Sequence, residues 1–348
     1  MRKVTIQDVA KELNLSRNTV AKALNNSDTV AYETRYVVVK RAYEMGYTKL
    51  LPSVLNEFKI KDSVEKSKTV VVLARREISA FWNRIIMGIS DELNKNNCKL
   101  QFNFISNEDE KERILPIDMQ SDISGIILLS VFDKEYVNML VNKSVPLVFL
   151  DSPVNTSDSS EFGDVVVFEG ENSVRRLTEH LIEQGMKKIG FIGDISYCKT
   201  IYDRYKGYCL ALWDAGIPVD DQITAIKHVK SKYYNKEEVL TAIEEMPYIP
   251  EAIVCANDDI AKDVMLVLKH KELAVPNDVA VTGFDNKEET ALIEPALSTV
   301  HIGNQRMGRR LVQELMWRIN NRDLPNEIIY INTEVMIRES SIKNNILK

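Results

Sequence analysis

The sequence predicts an all-α head containing a helix-turn-helix, followed by an α/β body of two doubly wound parallel-sheet lobes. Three observations support this. The first 49 residues show helical hydrophobic spacing without a strand pattern. From residue 69 onward, short apolar runs alternate with amphipathic segments. The 348 residues suffice for two sizeable cores beside a small head. We expect the head at 1–49, a hinge or linker at 50–68, the two-lobed body at 69–341 and a tail at 342–348.

The head begins with two short helices joined by a tight turn. The first is predicted over 6–13, where Thr5 is the N-cap and Asp8 completes a capping box. Asn14 and Leu15 form the turn, and Ser16 caps the second helix. The buried stripe of that second helix is Val20, Ala23 and Leu24. A third helix is predicted over 34–46. Such a pair of helices is typical of a helix-turn-helix.

The outer face of the second helix is polar and partly basic. It carries Arg17, Asn18, Lys22 and Asn25, which suits base edges and phosphates in a major groove. An ordinary helical hairpin would show similar spacing, so charge is needed to decide. Residues 1–49 hold 9 basic and 5 acidic side chains, a net charge of 9 − 5 = +4. The whole chain carries −6, so the remainder carries −6 − 4 = −10. A basic head on an acidic body favours DNA binding by the head.

Composition argues against several other classes of protein. No run of eighteen apolar residues exists, and the N-terminus lacks the apolar region of a signal peptide, so we expect a cytoplasmic protein without membrane attachment. The four cysteines and four histidines show no metal-ligand spacing. No nucleophile elbow or phosphate-cradling loop occurs. The sequence therefore predicts neither an enzyme nor a bound cofactor.

The body shows the alternation expected of parallel sheets. Apolar runs predict strands at 69–73, 100–105, 125–129, 147–150, 165–168, 189–192, 252–255 and 279–282. Amphipathic segments predict helices, notably at 81–94, 135–141, 173–184, 205–215 and 260–270. Since ligands of such sheets bind outside the carboxyl ends of the strands, the residues there are candidates for a site. These are Phe81, Trp82, Asp151, Arg204, Asn257 and Asp285.

Charged and amide groups beside flat rings suit a sugar, whose hydroxyls and ring faces they can contact. Structural roles compete with this interpretation. Phe81 and Trp82 could be core anchors, and Asp151 and Asp285 could form turns. Arg204 could belong to a surface salt bridge. Asp258 is expected to cap the following helix rather than contact a ligand.

Several segments resemble the lactose-repressor (LacI/GalR) family. They are residues 5–10, 16–20, 24–26, 34–35 and 44–47, and the likeness extends along the body. The resemblance implies DNA contacts by Thr5, Ser16, Thr19 and Tyr47. These add to the polar face formed by Arg17, Asn18, Lys22 and Asn25. It also implies a periplasmic-binding-protein-like body whose lobes are joined by strands crossing near Val166, Thr299 and Ile328.

The resemblance also sharpens the expected effector site. It implies ligand contacts by Asp151, Arg204, Asn257 and Asp285, and an aromatic wall from Tyr233 or its neighbour Tyr234. Together with the site chemistry it predicts a homodimeric transcriptional regulator, a repressor, that binds double-stranded operator DNA and responds to a carbohydrate. A nucleobase or phosphorylated-metabolite corepressor is the first alternative. A sugar-binding transport module is the second.

One segment departs from the family. After Gly46-Tyr47, family members carry a hinge helix that inserts a leucine into the minor groove. Here Pro52 could start a turn of helix with Leu55 as the wedge, but the usual arginine is missing and Glu57 would repel phosphates. The sequence leaves a minor-groove contact open.

Overall fold

The computed structural model divides the chain into two units, 1–68 and 69–348. The residues whose structure is described are 4–27, 29–50, 54, 58, 68–75, 79–116, 123–130, 132–141, 145–153, 161–229 and 234–343. In this part of the chain, no helix combines the length and apolar character needed to cross a membrane.

Between residues 4 and 50, the first unit has helices at three places in the part that the structure describes. They are α1 (Ile6–Glu12), α2 (Arg17–Leu24) and α3 (Tyr32–Glu44). The predicted capping box is present, because the Asp8 backbone N–H donates to Thr5 Oγ1 and the Thr5 N–H donates to the Asp8 carboxylate. Ser16 Oγ accepts from the Thr19 N–H at 3.0 Å and starts α2 as predicted. The third helix begins two residues before the predicted start at residue 34.

The core of this unit extends past residue 49. Apolar side chains from all three helices meet there, and the buried ones include Val9, Val20, Ala23, Leu24, Val38, Val39 and Ala42. Val54 and Phe58, which the sequence placed in a linker, are buried in the same cluster. The predicted head boundary at residue 49 therefore omits two side chains that pack with the head.

The second unit contains the two predicted parallel sheets. The first lobe has a six-stranded sheet in the order β11-β5-β4-β3-β1-β2. Its strands are β1 (Thr69–Arg75), β2 (Lys99–Ile105), β3 (Ile123–Leu128), β4 (Leu147–Leu150), β5 (Asp164–Phe168) and β11 (Ile328–Ile331). All its pairings are parallel. Central strands such as β4 and β5 are buried along their whole length, which explains the apolar runs 147–150 and 165–168.

The second lobe has a four-stranded parallel sheet in the order β7-β6-β8-β9. Its strands are β6 (Ile189–Ile192), β7 (Thr224–Ala225), β8 (Ala252–Cys255) and β9 (Ala280–Thr282). Two further strands, β10 (Thr299–His301) and β12 (Glu334–Met336), pair antiparallel with each other. The chain passes between the lobes after β5, β10 and β11, the strands that contain or begin at the three predicted crossing residues.

Helices cover the sheets of both lobes. Those of the first lobe are α4 (Ala80–Lys95), α5 (Asn107–Glu112), α6 (Lys134–Val141) and α11 (Asn304–Asn320). Those of the second lobe are α7 (Glu171–Glu183), α8 (Lys199–Asp214), α9 (Lys236–Glu245) and α10 (Asp258–His270). Glycine allows α4 and α11 to approach closely, because a Cβ at Gly88 would lie 2.1 Å from the Gln305 carbonyl oxygen.

Candidate functional site

The first candidate site is the polar face of α2. Arg17, Asn18, Lys22 and Asn25 are exposed on it, at the spacing that places side chains on one side of a helix. The N-terminal turn of α2 is fixed by Ser16, so Arg17 and Asn18 extend from a defined helix end. This arrangement matches a recognition helix, whose first residues reach base edges.

The remaining predicted DNA contacts have structural roles as well. Ser16 Oγ and Thr19 Oγ1 lie 2.8 Å apart, and Thr5 Oγ1 donates to Asp8 Oδ2 at 2.7 Å. Tyr47 is half-buried against the core of the head. Their contacts with DNA stay predictions. Pro52, Leu55 and Glu57, on which the minor-groove question depends, lie outside the described residues.

The second candidate site is a cavity of about 220 Å³ between the lobes. It lies at the carboxyl ends of strands, where the sequence placed a ligand. Six of the predicted effector residues line it: Phe81, Trp82, Asp151, Arg204, Asn257 and Asp285. The structure thus brings together side chains that are up to 204 positions apart (285 − 81) in the chain. Their contacts with an effector stay predictions.

Arg204 and Asp285 face each other in the second lobe without touching. Arg204 Nη2 and Asp285 Oδ1 are 3.9 Å apart, beyond a hydrogen bond. The guanidinium lies over the Phe284 ring, with Cζ 3.6 Å from the centroid, and Nη1 donates to the Ala256 carbonyl oxygen at 2.7 Å. These contacts fix the plane of a side chain that is almost fully buried. Arg204 is therefore not the surface salt bridge that the sequence left open.

The carboxyl group of Asp285 has a raised pKa. Burial raises its pKa to about 7, while Arg204 opposes the rise and Asp258 adds to it. Within the described residues, its oxygen atoms accept no hydrogen bond. The backbone at Asp285 has φ +117°, a conformation that favours glycine, and it pairs with His301 in an isolated β-bridge rather than a turn.

Asn257, and not Asp258, caps α10. Asn257 Oδ1 accepts from the Ile260 N–H at 2.9 Å, which leaves the amide NH₂ group as its available donor. The expectation that Asp258 caps this helix is wrong. Asp258 is fully buried and accepts from Thr299 Oγ1 at 2.6 Å, Thr290 Oγ1 at 2.9 Å and the Lys287 N–H at 2.8 Å. It holds the loop that carries Asp285.

Asp151 joins the lobes at the cavity wall. It follows β4 in the first lobe with φ +68°, a turn conformation. Its Oδ2 accepts from Thr200 Oγ1 at 2.5 Å, and its Oδ1 accepts from the Thr200 N–H at 3.3 Å and the Ser152 N–H at 2.8 Å. Asp151 therefore binds the N-terminal turn of α8, the helix that carries Arg204.

Two aromatic rings form a wall of the cavity from the first lobe. Phe81 and Trp82 pack edge to face, with centroids 4.9 Å apart and an interplanar angle of 85°. Ser79 Oγ accepts from the Trp82 N–H at 3.4 Å at the start of α4. Both rings are half-buried and also pack against the core, so the anchor role and the cavity role coexist.

The predicted aromatic residue of the second lobe is not placed at the cavity. Tyr233 lies outside the described residues. The neighbouring Tyr234 is buried and donates to the Lys227 carbonyl oxygen at 3.1 Å. It does not line the cavity.

Sequence reasoning missed several lining residues, including Phe168, Cys198, Thr200, Asp259 and Lys287. Lys287 forms an ion pair with Asp259. Burial lowers the pKa of Lys287, but the hydrogen bond with Asp259 and the negative charges of Asp259, Asp285 and Glu289 together raise it above the ordinary value. Its position two residues after Asp285, on the same strand-end loop, was the available signal. Phe168, the last residue of β5, also lies at a strand end, which was a similar signal in the sequence.

The chain resembles known proteins in both sequence and fold. Residues 5–49 match the model described as bacterial regulatory proteins, lacI family. Residues 178–341 match the model described as periplasmic binding protein-like domain. The two matches fall on the head and mainly on the second lobe.

Whole-chain relatives agree with these matches. The chain is 30% identical over 346 residues to a probable HTH-type transcriptional repressor, ExuR, of Bacillus subtilis (strain 168), covering 97% of this chain and 98% of the relative. Among solved structures, a complex of the transcriptional regulator CelR with cellobiose has a TM-score of 0.69 and 23% identity, covering 97% of this chain and 100% of that one. A lac repressor dimer bound to operator and the anti-inducer ONPF has a TM-score of 0.67 and 19% identity, covering 98% and 100%.

Proposed function

This chain belongs to the lacI family of bacterial regulatory proteins and is a DNA-binding transcriptional regulator, and on that premise we propose that it responds to a small carbohydrate. The proposed site is the cavity between the lobes. We expect the protein to act in the cytoplasm as a repressor, without catalytic turnover. The carbohydrate named in the CelR complex is consistent with this proposal.

The gap between Arg204 and Asp285 is the observation that carries the proposal. A sugar hydroxyl placed there can accept from the guanidinium and donate to the carboxylate. The Asn257 NH₂ group supplies a further donor, and the Phe81–Trp82 wall offers apolar surface to a sugar ring. At about 220 Å³, the cavity is below the roughly 300–1,000 Å³ typical of drug-sized sites, which favours a small ligand.

Charge distinguishes this proposal from a phosphorylated corepressor. The cavity holds two basic side chains, Arg204 and Lys287, against the acidic Asp151, Asp259 and Asp285. Lys287 is already paired with Asp259. The lining therefore offers no net positive charge to a phosphate, whereas a neutral polyol matches its mixed donors and acceptors. A transport module is disfavoured because the matched head belongs to regulators.

We also propose that two copies of the chain pair through the free edge of the six-stranded sheet. Strand β2 is the outer strand there, and Phe104 on β2 and Met87 on α4 are exposed. An outer strand with exposed apolar side chains is typical of a surface that another chain covers. A homodimer would present two recognition helices to a near-palindromic operator.

Calorimetry on the full chain tests the effector class. The panel contains neutral mono- and disaccharides, sugar phosphates and free nucleobases, and each hit is added to an operator-binding assay. We expect a neutral sugar to bind and to change operator affinity. Binding of only a phosphate or a nucleobase would favour the corepressor alternative.

Two variants of one helix make the test specific. Arg204→Ala should lose about 2–5 kcal/mol of effector affinity, because the other buried polar groups stay unpaired, while effector-free operator binding persists. Trp213→Ala is the control, since Trp213 lies on the same helix and is 82% exposed. Full effector affinity in Arg204→Ala would refute the site, and loss of operator binding would assign Arg204 to folding.

A further inference from the structure

The C-terminal end of the recognition helix has a defined structure. Asn26 adopts φ +57°, the left-handed conformation that asparagine tolerates better than most residues. The Ser27 N–H donates to the Lys22 carbonyl oxygen at 3.0 Å, and the Asn26 N–H donates to the Ala23 carbonyl oxygen at 3.2 Å. This is a Schellman ending. It fixes the last turn of α2, where Lys22 and Asn25 are exposed.

A buried arginine of α3 holds this ending. Arg35 Nη1 donates to Asn26 Oδ1 at 2.8 Å. Arg35 is buried, so it is shielded from water that would compete for the amide. The bond joins the third helix to the residue that ends the second.

Phe58, which follows the predicted head boundary at residue 49 in the sequence, packs over this arginine. Its ring lies 5.8 Å from Arg35 Cζ, 5.1 Å from the Tyr32 ring and 6.2 Å from the Tyr36 ring, centroid to centroid for the rings. Phe58 is only 4% exposed, and its N–H donates to the Val54 carbonyl oxygen at 3.2 Å. The contacts run from Phe58 through Arg35 to Asn26.

We propose that Phe58 is a positioning residue for DNA reading, which it supports through Arg35 and Asn26. The proposal rests on the reading of DNA by α2. With Phe58 in place, Arg35 is desolvated and its bond to Asn26 is strong. Without the ring, water reaches Arg35 and the last turn of α2 frays. Lys22 and Asn25 then lose their fixed directions, whereas Arg17 and Asn18 keep theirs because Ser16 caps the other end.

Two duplexes separate positioning from general support of the fold. One is the duplex that the wild-type full chain enriches from a random pool, and the other is a scrambled duplex of equal length. Phe58→Ala removes no charge, so electrostatic binding to the scrambled duplex and its salt dependence should change less than about twofold. Affinity for the enriched duplex should fall about tenfold, the typical effect of losing one base contact.

Matched variants complete the experiment. Phe58→Tyr keeps the ring and should restore most of the affinity for the enriched duplex. Val37→Ala changes an exposed position of α3, the helix that carries Arg35, and should bind both duplexes as the wild type does. Equal losses on both duplexes would show that Phe58 only supports folding and would overturn the proposal, as would no loss on either. A wild-type chain that enriches no duplex would refute DNA reading itself.

Discussion

Protonation of Asp285 should make effector binding depend on pH. In the effector-free chain, burial raises the pKa of this carboxyl group to about 7, against the partial compensation of Arg204. A sugar hydroxyl that donates to the carboxylate stabilises the charged form, so binding should lower that pKa and release a proton. Effector binding should therefore be measured as a function of pH, and Asp285→Asn is the variant that removes the titrating group.

The size of the expected change in effector Kd follows from this pKa. With a value of about 7, the carboxyl is about one tenth ionised at about pH 6 and about nine tenths ionised at about pH 8. If only the ionised form binds, the effector Kd should fall about tenfold over this interval, or about 1.4 kcal/mol. Asp258, Asp259 and Lys287, which also act on the Asp285 carboxyl, shift the midpoint without reversing the direction.

The same pKa predicts the sign of a stability change. A folded-state pKa above the ordinary aspartate value means that the unfolded chain ionises first as the pH rises. Stability of the effector-free chain should therefore fall between about pH 4 and about pH 7, and Asp285→Asn should remove this part of the decline. Urea unfolding at several pH values measures it.

Calorimetry in two buffers of different ionisation enthalpy measures the proton release directly. The wild type should release up to about one proton per effector near pH 6, and Asp285→Asn should release less and bind weakly at every pH. Trp213→Ala serves as the control and should release as many protons per bound effector as the wild type. An effector Kd that does not vary between about pH 6 and about pH 8 would show that ionisation of Asp285 does not control binding, as would an equal pH dependence in Asp285→Asn.

Four further predictions concern other parts of the molecule. Arg17→Ala should lose about 1–3 kcal/mol of operator affinity and relax specificity at one base position, and an unchanged consensus in binding-site selection would contradict this. Thr200→Val removes the hydroxyl that joins the lobes through Asp151 and should weaken effector binding by about 1 kcal/mol, with unaltered calorimetric affinity as the contrary outcome. Phe104→Glu should shift the chain to monomers in light scattering, and a persistent dimer would place the interface elsewhere. Gly88→Ala should destabilise the chain by about 1–3 kcal/mol in urea unfolding, because the new Cβ meets the Gln305 carbonyl, and an unchanged midpoint would show that the helices can separate freely.

The fold class could be predicted from the amino-acid sequence, because the patterns that indicate it are local. Helical spacing and the capping residues Thr5 and Ser16 defined the first two helices, and unbroken apolar runs defined the buried parallel strands. The rule that ligands bind at strand ends then selected six residues that line one cavity. These features depend on neighbours within a few positions, so a single sequence is enough to predict them.

The contacts of these residues could not be predicted from the sequence and are seen only in the folded chain. The sequence does not show that Asn257 caps α10 while Asp258 is buried beneath the following loop, since both are good capping residues. Nor does it show that Phe58 belongs to the core of the head, or that Lys287 reaches the cavity. Each outcome depends on burial and on partners distant in the chain. The pKa of Asp285 is such a case, because it depends on burial and on charged groups such as Arg204 and Asp258 that are distant in the chain.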